Sequence, residues 1–398
     1  MQNLKNKILF SFIFLLQSQL MICQKKEITV IDITTKKPLE NVNVYYSEIN
    51  EGTFTNTEGK ATINIKEFDL KISAINYEEI IVKSVDIKNS TTILLTQKAT
   101  VLDEVVVSSF NLKKALNYVL ENYDNLYENK PFEKECNFKE TLSVDNSLKR
   151  LILSKINWWG KSYKVKYLDD LKLRLISINF NKEEPLNIFT ELPEENTSSK
   201  SNYIDTKNLV SYIYLNTFLN AFLPRIENAS IIIENSPTDE IIISYETEWK
   251  LVKDYSIRNK GKIIFDKVTK AIMSLTEENE IKNLIINGMT SISKKPYSFE
   301  NKSSLSVLNF KKSTNNKLTL NSYEVNANFN ISYKNRIHLC NLKNSIYVLK
   351  ETPTKKVSND GIMDLTKPIC NNIPLGTIIN SNTIMLSEEE KIFIFGTK

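Results

Sequence analysis

The residues that could carry out catalysis are few, and their spacing does not suit it. The only histidine, His338, lies in the segment NRIHLCNL, two positions before Cys340. Ser–His–Asp triads and the usual catalytic zinc sites use histidine as base or ligand, and no HExxH, GxSxG or GxGxxG pattern occurs. In an alternating strand His338 and Cys340 share a face. A nucleophilic pair is therefore conceivable, but a partly buried structural histidine is the expected interpretation.

A glycine precedes a lysine in TFTNTEGKATINI, residues 53–65, and this suggests phosphate binding. A P-loop has four residues between its glycines and a hydroxyl side chain after the Gly-Lys pair. Here six residues separate Gly52 from Gly59, and Ala61 follows Lys60. The segment is therefore predicted to be a hairpin in which Gly59 adopts a backbone conformation that other residues resist. The side chains expected to enter the core are Ile63 and Ile65.

Carboxylates are the remaining catalytic candidates. Acid pairs occur at Asp169–Asp170, Glu183–Glu184 and Glu194–Glu195, and Glu388–Glu390 forms a further cluster. Glycosidase carboxylates need a defined separation across a cleft, whereas these pairs lie in polar segments. Solvated loop charge is the expected interpretation, and a hydrolase acting through paired carboxylates is the alternative.

Four aromatic residues are candidates for ligand binding. Trp158 and Trp159 are adjacent, so in a strand their side chains point to opposite faces. Trp249 follows a predicted hairpin that contains Tyr245. Exposed Trp and Tyr side chains can stack on sugars or lie at a lipid interface, while ordinary core packing is the simpler explanation.

The first 23 residues are predicted to be an export signal. Lys5 and Lys7 precede a short apolar run over 8–16, which is below the roughly 20 residues that a membrane-spanning helix needs. Cleavage is expected after Cys23. Lipidation of Cys23 is the rival prediction, although the preceding residue, Ile22, is larger than lipoprotein signals prefer.

The composition argues against nucleic acid as a partner and predicts that the hydrophobic core supplies the stability. The chain has 398 residues, 41% of them hydrophobic, and a formal charge of +5 without a basic block, so nucleic acid is not an expected partner. After export only Cys136, Cys340 and Cys370 remain, and their spacing fits no zinc template. Cys340–Cys370 is the more plausible disulfide in an oxidising compartment. No cofactor is predicted.

Short strands dominate residues 24–108. In ENVNVYY the side chains of Val42, Val44 and Tyr46 fall on one face. Similar segments recur at intervals of about 10 residues with turn signals between them, which is typical of a small β-sandwich.

Residues 109–350 combine helices with strand-like segments. Leu112, Leu116, Val119, Tyr123 and Leu126 form a helical stripe, with Ser108 or Ser109 as the candidate N-cap. A second helix, apolar on nearly all sides, is predicted over 209–223. Hairpins are expected over 228–249 and 261–278, and the tail over 351–398 is predicted to be irregular.

The N-terminal segment resembles a known family. Asp32 ending a strand, Pro38–Leu39, Thr55–Asn56, Gly59, Ser73–Tyr77 and the closing LDEVVV are similar to the carboxypeptidase-regulatory-like domain of secreted and outer-membrane proteins of Bacteroidota. The resemblance implies a transthyretin-like β-sandwich without catalytic residues of its own. Asn76 stands where the family usually has glycine, and asparagine also tolerates a left-handed conformation.

The rest of the chain limits which classes of protein containing this domain are compatible with the sequence. A metallocarboxypeptidase needs two zinc-binding histidines and is excluded. Fewer than 300 residues follow the domain, which speaks against a TonB-dependent transporter. The hairpin GKIIFDKVTKAIMSLTEE resembles those of lipoprotein-carrier half-barrels, whose inner face holds acyl chains.

The predicted fold is mainly β: a transthyretin-like β-sandwich followed by an α+β domain with a curved antiparallel sheet and two or more helices. The predicted function is non-enzymatic binding or scaffolding in the periplasm or at the outer membrane. The expected partner is an envelope protein, a lipid or another hydrophobic ligand. The alternative is a carboxylate-dependent hydrolase of envelope polymers.

Overall fold

The computed structural model describes residues 25–49, 51–98, 110–165, 171–184, 206, 212–235, 239–290, 293–313, 315–367, 369–374, 376–377 and 385–396. Within them the chain is mainly β, as predicted. The first seven strands are β1 (Lys25–Asp32), β2 (Asn43–Tyr46), β3 (Glu51–Phe54), β4 (Lys60–Asn64), β5 (Leu70–Ser73), β6 (Ile80–Val82) and β7 (Ser90–Leu95). No described helix is both long and apolar enough to cross a bilayer.

The N-terminal strands form the predicted β-sandwich. One sheet has the order β4-β1-β7, and the other contains β3, β2, β5 and β6 in that order. Alternating side chains from both sheets meet between them. The buried core consists of Ile28, Val30, Val42, Val44, Tyr46, Ala61, Ile63, Leu70, Ile72, Ile87, Ile93 and Leu95.

The segment over 53–65 is a crossing between sheets, so the prediction of a hairpin is wrong. β3 pairs with β2, whereas β4 pairs with β1. The side chain of Asn56 shapes the turn by accepting hydrogen bonds from the backbone N–H groups of Glu58 and Lys60. Gly59 has φ +70, and the Cβ of any other residue would lie 2.4 Å from the carbonyl oxygen of Val30. The predicted role of Gly59 is confirmed, and Asn76 likewise has a left-handed φ of 64.

The remaining elements build a large antiparallel sheet and its helices. The strands are β8 (Phe132–Val144), β9 (Ser147–Gly160), β10 (Leu171–Glu183), β11 (Ser230–Asn235), β12 (Glu240–Glu246), β13 (Lys250–Val252), β14 (Tyr255–Asp266), β15 (Ile272–Met289), β16 (Pro296–Lys312), β17 (Leu318–Tyr333), β18 (Arg336–Pro353) and β19 (Gly376–Thr377). The helices are α1 (Leu112–Glu121), α2 (Tyr123–Leu126), α3 (Leu215–Phe222) and α4 (Glu388–Phe395). The described sheet runs β11-β12-β14-β15-β16-β17-β18-β8-β9-β10-β19, with β13 on β14.

One face of this sheet, here the inner face, packs against α1, α2 and α3. A row of cross-strand partners traverses it from β12 to β8: Ile243, Ile263, Leu275, Leu308, Tyr323, Ile346 and Phe138. All of these side chains are buried in one cluster with the helices. The protein's own helices therefore cover this part of the inner face.

The predicted helical stripe is confirmed, because all five of its residues are buried. The helix begins later than predicted, at Leu112, where the side chain of Asn111 caps it by accepting a hydrogen bond from the backbone N–H of Lys114. The alternative caps, Ser108 and Ser109, lie outside the described residues. The predicted hairpins are also confirmed as β11–β12 and β14–β15.

The predicted Cys340–Cys370 disulfide is wrong, since Cys136, Cys340 and Cys370 are all free. Cys340 is buried with Phe329 and Ile331 near one end of the sheet. Cys370 instead packs against the cluster around the helices. The long strands hold these two environments apart.

Candidate functional site

The sandwich is fixed to the other face of the large sheet, here the outer face. Tyr347 of β18 packs its ring 4.7 Å from that of Phe54. Its hydroxyl donates a hydrogen bond to Oδ1 of Asn41 at 2.7 Å, and Nδ2 of Asn41 donates to Glu324 at 3.0 Å. Asn41 has φ 61, a left-handed conformation that asparagine tolerates better than most residues. Its position just before β2 aims its amide at β17 and β18.

Helix α4 encloses the junction from a third side. Ser387 and Glu390 form a capping box that starts the helix. The N–H of Glu388 donates to the side chain of Glu58, and Nδ2 of Asn56 donates to the carbonyl of Leu386 at 3.3 Å. The turn at Asn56 therefore anchors the C-terminal segment on the sandwich.

A cleft of about 170 Å³ lies between the sandwich, the outer face and α4. We call it the junction cleft. Its lining residues are Glu40, Asn41, Phe54, Thr55, Asn56, Thr57, Lys139, Thr141, Ser143, Leu148, Lys343, Ser345, Tyr347, Ser387, Glu389 and Glu390. Ligand sites often occur at domain interfaces, and the hydroxyl, amide and charged groups here suit a polar ligand group.

The two cations of the junction cleft are held by carboxylates. Lys139 lies 2.5 Å from Glu390, and Lys343 lies 3.1 Å from Glu40 and 3.5 Å from Glu324. Burial disfavours the charged form of Lys343, but Glu324 and Glu40 outweigh this effect and raise its pKa. Burial raises the pKa of Glu324, because one cation only partly offsets it and Glu40 adds repulsion.

Several acidic side chains outside the junction cleft are paired with cations. The buried carboxylates of Glu140 and Glu277 each face an arginine, at 2.8 and 3.2 Å. Among the predicted acid pairs, Glu183 lies near Arg150 and Glu184 contacts Lys149. The pairs at 169–170 and 194–195 lie outside the described residues. In the described part of the chain, no group of three or more His, Cys, Asp or Glu side chains is placed to hold a metal ion.

His338 and Cys340 share a face of β18 but do not form a catalytic pair. Nδ1 of His338 lies 2.9 Å from Oδ2 of Asp145, while the thiol of Cys340 donates to the backbone carbonyl of His338. Burial raises the pKa of the Cys340 thiol to about 12. A buried thiol with that pKa is a poor nucleophile.

The structure places the two predicted tryptophan ligands on opposite faces. Trp158 is fully buried, and its Nε1 donates to the hydroxyl of Tyr214 at 2.9 Å. Nε1 of Trp159 donates to the carbonyl of Thr354, also at 2.9 Å. Trp158 therefore belongs to the packing around α3, and Trp159 lies beside the end of β18.

Tyr245 and Trp249 are in two further environments. Tyr245 is buried, with its ring 5.3 Å from that of Phe222 in α3. The ring of Trp249 lies 3.9 Å from Nζ of Lys282 and 5.2 Å from the guanidinium of Arg258. The four aromatic candidates are thus not gathered into one pocket, and their role in ligand binding stays a prediction.

No sequence pattern predicts the junction cleft. Its main signals were an asparagine, Asn41, directly before a strand and a tyrosine, Tyr347, in an otherwise ordinary alternating strand. Neither feature reveals its partner.

Comparison with known proteins identifies the type of domain that the N-terminal sandwich represents. No curated protein matches the sequence. Among solved structures, a candidate membrane-associated protein of unknown function from Bacteroides fragilis aligns at 9% identity, covering 81% of this chain and 97% of its own, with a TM-score of 0.14. Residues 29–107 match the model of the CarboxypepD_reg-like domain. The N-terminal β-sandwich is therefore a CarboxypepD_reg-like domain, as its resemblance implied.

Proposed function

We propose that the protein is a non-enzymatic binding and scaffolding component of the bacterial cell envelope. The observation that supports this most is the contrast between the two faces of the large sheet. Helices α1, α2 and α3 cover the inner face along the row from Ile243 to Phe138, whereas the junction cleft stays open beside the outer face. An acyl chain would need space on the inner face, so binding at the junction is favoured over a carrier role.

The junction cleft suits a polar, peptide-like group of an envelope partner. It presents the ion-paired side chains of Lys139 and Lys343, the carboxylate of Glu389 and the hydroxyl groups of Thr141 and Ser345. The sandwich lines the opposite side of the cleft with Asn41, Thr55 and Thr57, so a bound partner would contact both domains and hold them together. The predicted export signal supports a location in the periplasm or at the outer membrane.

Site-specific photo-cross-linking in the native host tests this proposal. Benzoylphenylalanine replaces Thr57, an exposed residue of the cleft, and in a control strain replaces Val268, which is 80% exposed at a distant turn. We expect a discrete cross-linked partner from position 57 alone, weakened by Lys343→Glu. Equal cross-linking from both positions, or none from position 57, contradicts the proposal.

Mass spectrometry of the protein isolated from its native envelope tests the carrier role separately. We expect no lipid at a near-stoichiometric level, because side chains occupy the inner face. Lipid found at a stoichiometric level would contradict scaffolding and support a role as a carrier of a hydrophobic ligand.

A further inference from the structure

Two neighbouring hairpins of the large sheet end together, away from the junction. We call residues 285–290, 293–298 and 330–339 the distal tip; they close the β15–β16 and β17–β18 connections. Tyr297 pairs with Tyr333, so the two hairpins lie side by side. Asp145, in the β8–β9 turn, contacts Arg336 and His338 from the next hairpin.

The distal tip exposes apolar side chains on its outer face. Ile285 and Met289 are 51% and 54% exposed, and Ile337 and Leu339 are 62% and 56% exposed. Cross-strand pairing joins Ile285 to Leu339 through Glu300 and Asn330. Three strand spacings separate the two apolar pairs, which is about 14 Å. Two pairs of exposed apolar side chains on one face of a sheet end can mark an interaction site.

The same tip carries basic side chains. Lys294, Lys295, Lys334 and Arg336 are all exposed, and no acidic residue occurs in the tip segments. An open depression of about 650 Å³ is lined by Lys295, Lys334 and Arg336 together with the hydroxyl-bearing Tyr297 and Ser332. Two acids lie beside these cations: Asp145 contacts Arg336, and Glu300, between Ile285 and Leu339 on the same face, contacts Lys302.

The distal tip is also held in shape. On its inner face Phe299, Phe329, Ile331, Tyr333 and Cys340 form a buried cluster. Lys334 and Asn335 both have left-handed φ values, 49 and 60, as in the tight turns that close two-residue hairpins. The exposed apolar side chains therefore project from a supported scaffold and cannot fold back into this cluster.

We propose that the distal tip docks the protein on a bilayer that contains anionic lipids. Cations at a membrane surface bind anionic headgroups, and adjacent apolar side chains enter the interface. A second copy of the chain fits less well, because an isologous contact would bring Lys294, Lys295 and Lys334 of the two tips close together. This inference goes beyond the proposed function, since docking through the tip does not depend on the junction cleft.

Vesicle co-sedimentation tests the proposal with the purified protein. We expect binding to phosphatidylcholine vesicles with about 30% phosphatidylglycerol, weakened by salt, and little binding to pure phosphatidylcholine. Lys295→Glu with Lys334→Glu should lower the partition coefficient at least 25-fold, roughly fivefold for each cation removed. Ile337→Ser with Leu339→Ser should lower it by about tenfold or more. Circular dichroism checks that each variant is folded.

A matched control changes one cation and one apolar residue at the other end of the sheet, Lys267→Glu with Val268→Ser. This variant should bind as well as the unmodified protein. The proposal is wrong if the protein ignores anionic vesicles, if it binds both compositions equally, or if the control loses as much binding. It is also wrong if sedimentation velocity shows a dimer that the Ile337→Ser and Leu339→Ser changes abolish, since a second copy then covers the tip.

Discussion

The hydroxyl of Tyr347 donates a hydrogen bond to Oδ1 of Asn41 across 2.7 Å, and this contact joins a strand of the large sheet to the CarboxypepD_reg-like domain. The two residues are separated by 306 positions in the sequence. Because Asn41 also donates to Glu324, one side-chain amide connects two neighbouring strands to the sandwich.

Tyr347→Phe should lower the free energy of unfolding by about 1–2 kcal/mol. It leaves Oδ1 of Asn41 without its donor while retaining the ring contact with Phe54. Urea denaturation measures the change. Tyr118→Phe is the control, since Tyr118 is 41% exposed. Equal stability of the Tyr347→Phe variant and the unmodified protein would show that the contact does not stabilise the junction.

Gly59→Ala should destabilise the sandwich, because it combines a left-handed backbone with a clash. The backbone conformation costs about 1–3 kcal/mol, and the new Cβ would lie 2.4 Å from a backbone oxygen. The control is Gly396→Ala, where φ is +82 but no atom lies within 4 Å. Thermal unfolding should shift further for Gly59→Ala, and equal shifts would rule out the clash.

Protonation of Asp32 at low pH should lower the free energy of unfolding. Its carboxylate accepts hydrogen bonds from the backbone N–H groups of Thr34 and Thr35, the Tyr77 hydroxyl and the Gln97 amide. The backbone bond from Thr35 is the main cause that lowers the pKa of Asp32 to about 2, against the opposing effect of burial.

The folded pKa of Asp32 lies below its unfolded value, so the unfolded chain binds more protons under acid conditions. The stability contributed by Asp32 is complete above about pH 4 and is lost as the pH falls towards 2. Asp32→Asn should flatten this part of a curve of unfolding free energy against pH. An unchanged slope in the variant would contradict the assignment.

Lys311→Met should stabilise the protein at pH 7. Lys311 is 6% exposed, with Nζ 5.3 Å from the ring centroid of Tyr45. Burial, together with repulsion from Lys134, lowers the pKa of Lys311 to about 8. Removing the buried charge should add about 1–3 kcal/mol to the free energy of unfolding.

This gain should shrink as the pH rises from about 8 to 10, because only the unfolded chain then keeps the proton on Lys311 and the unmodified protein becomes more stable. Chemical denaturation at several pH values measures both effects. Lys350→Met, at an exposed position of β18, should give no such gain. A pH-independent gain at position 311 would exclude titration as the cause.

Local sequence patterns predict helices and strands, whereas the candidate site is formed by contacts between residues far apart in the sequence. The stripe from Leu112 to Leu126 needs only helical periodicity, so its burial could be predicted. The error over 53–65 has a different origin: turn chemistry at Asn56 and Gly59 shows where the chain reverses, but it does not show which sheet receives each strand.

The placement of the aromatic candidates could not be predicted for a similar reason. Alternation puts Trp158 and Trp159 on opposite faces, and they are on opposite faces. Whether the inner face is open or filled depends on α3. Tyr214, directly before α3, accepts the hydrogen bond from Trp158 although the two residues are more than 50 positions apart in the sequence. Only the tertiary fold supplies that information.

The length of strand β18 connects the distal tip mechanically to the junction. It runs without a break from Arg336 at the distal tip, past Tyr347 at the junction, to Lys350, which pairs with Glu51 of the sandwich. Thirteen residue steps of a strand, from Ile337 to Lys350, span about 40 Å. With the outer face of the distal tip on a bilayer, β18 would act as a stiff spacer that fixes the distance between the lipid contact and the CarboxypepD_reg-like domain, which lies on the same face of the sheet.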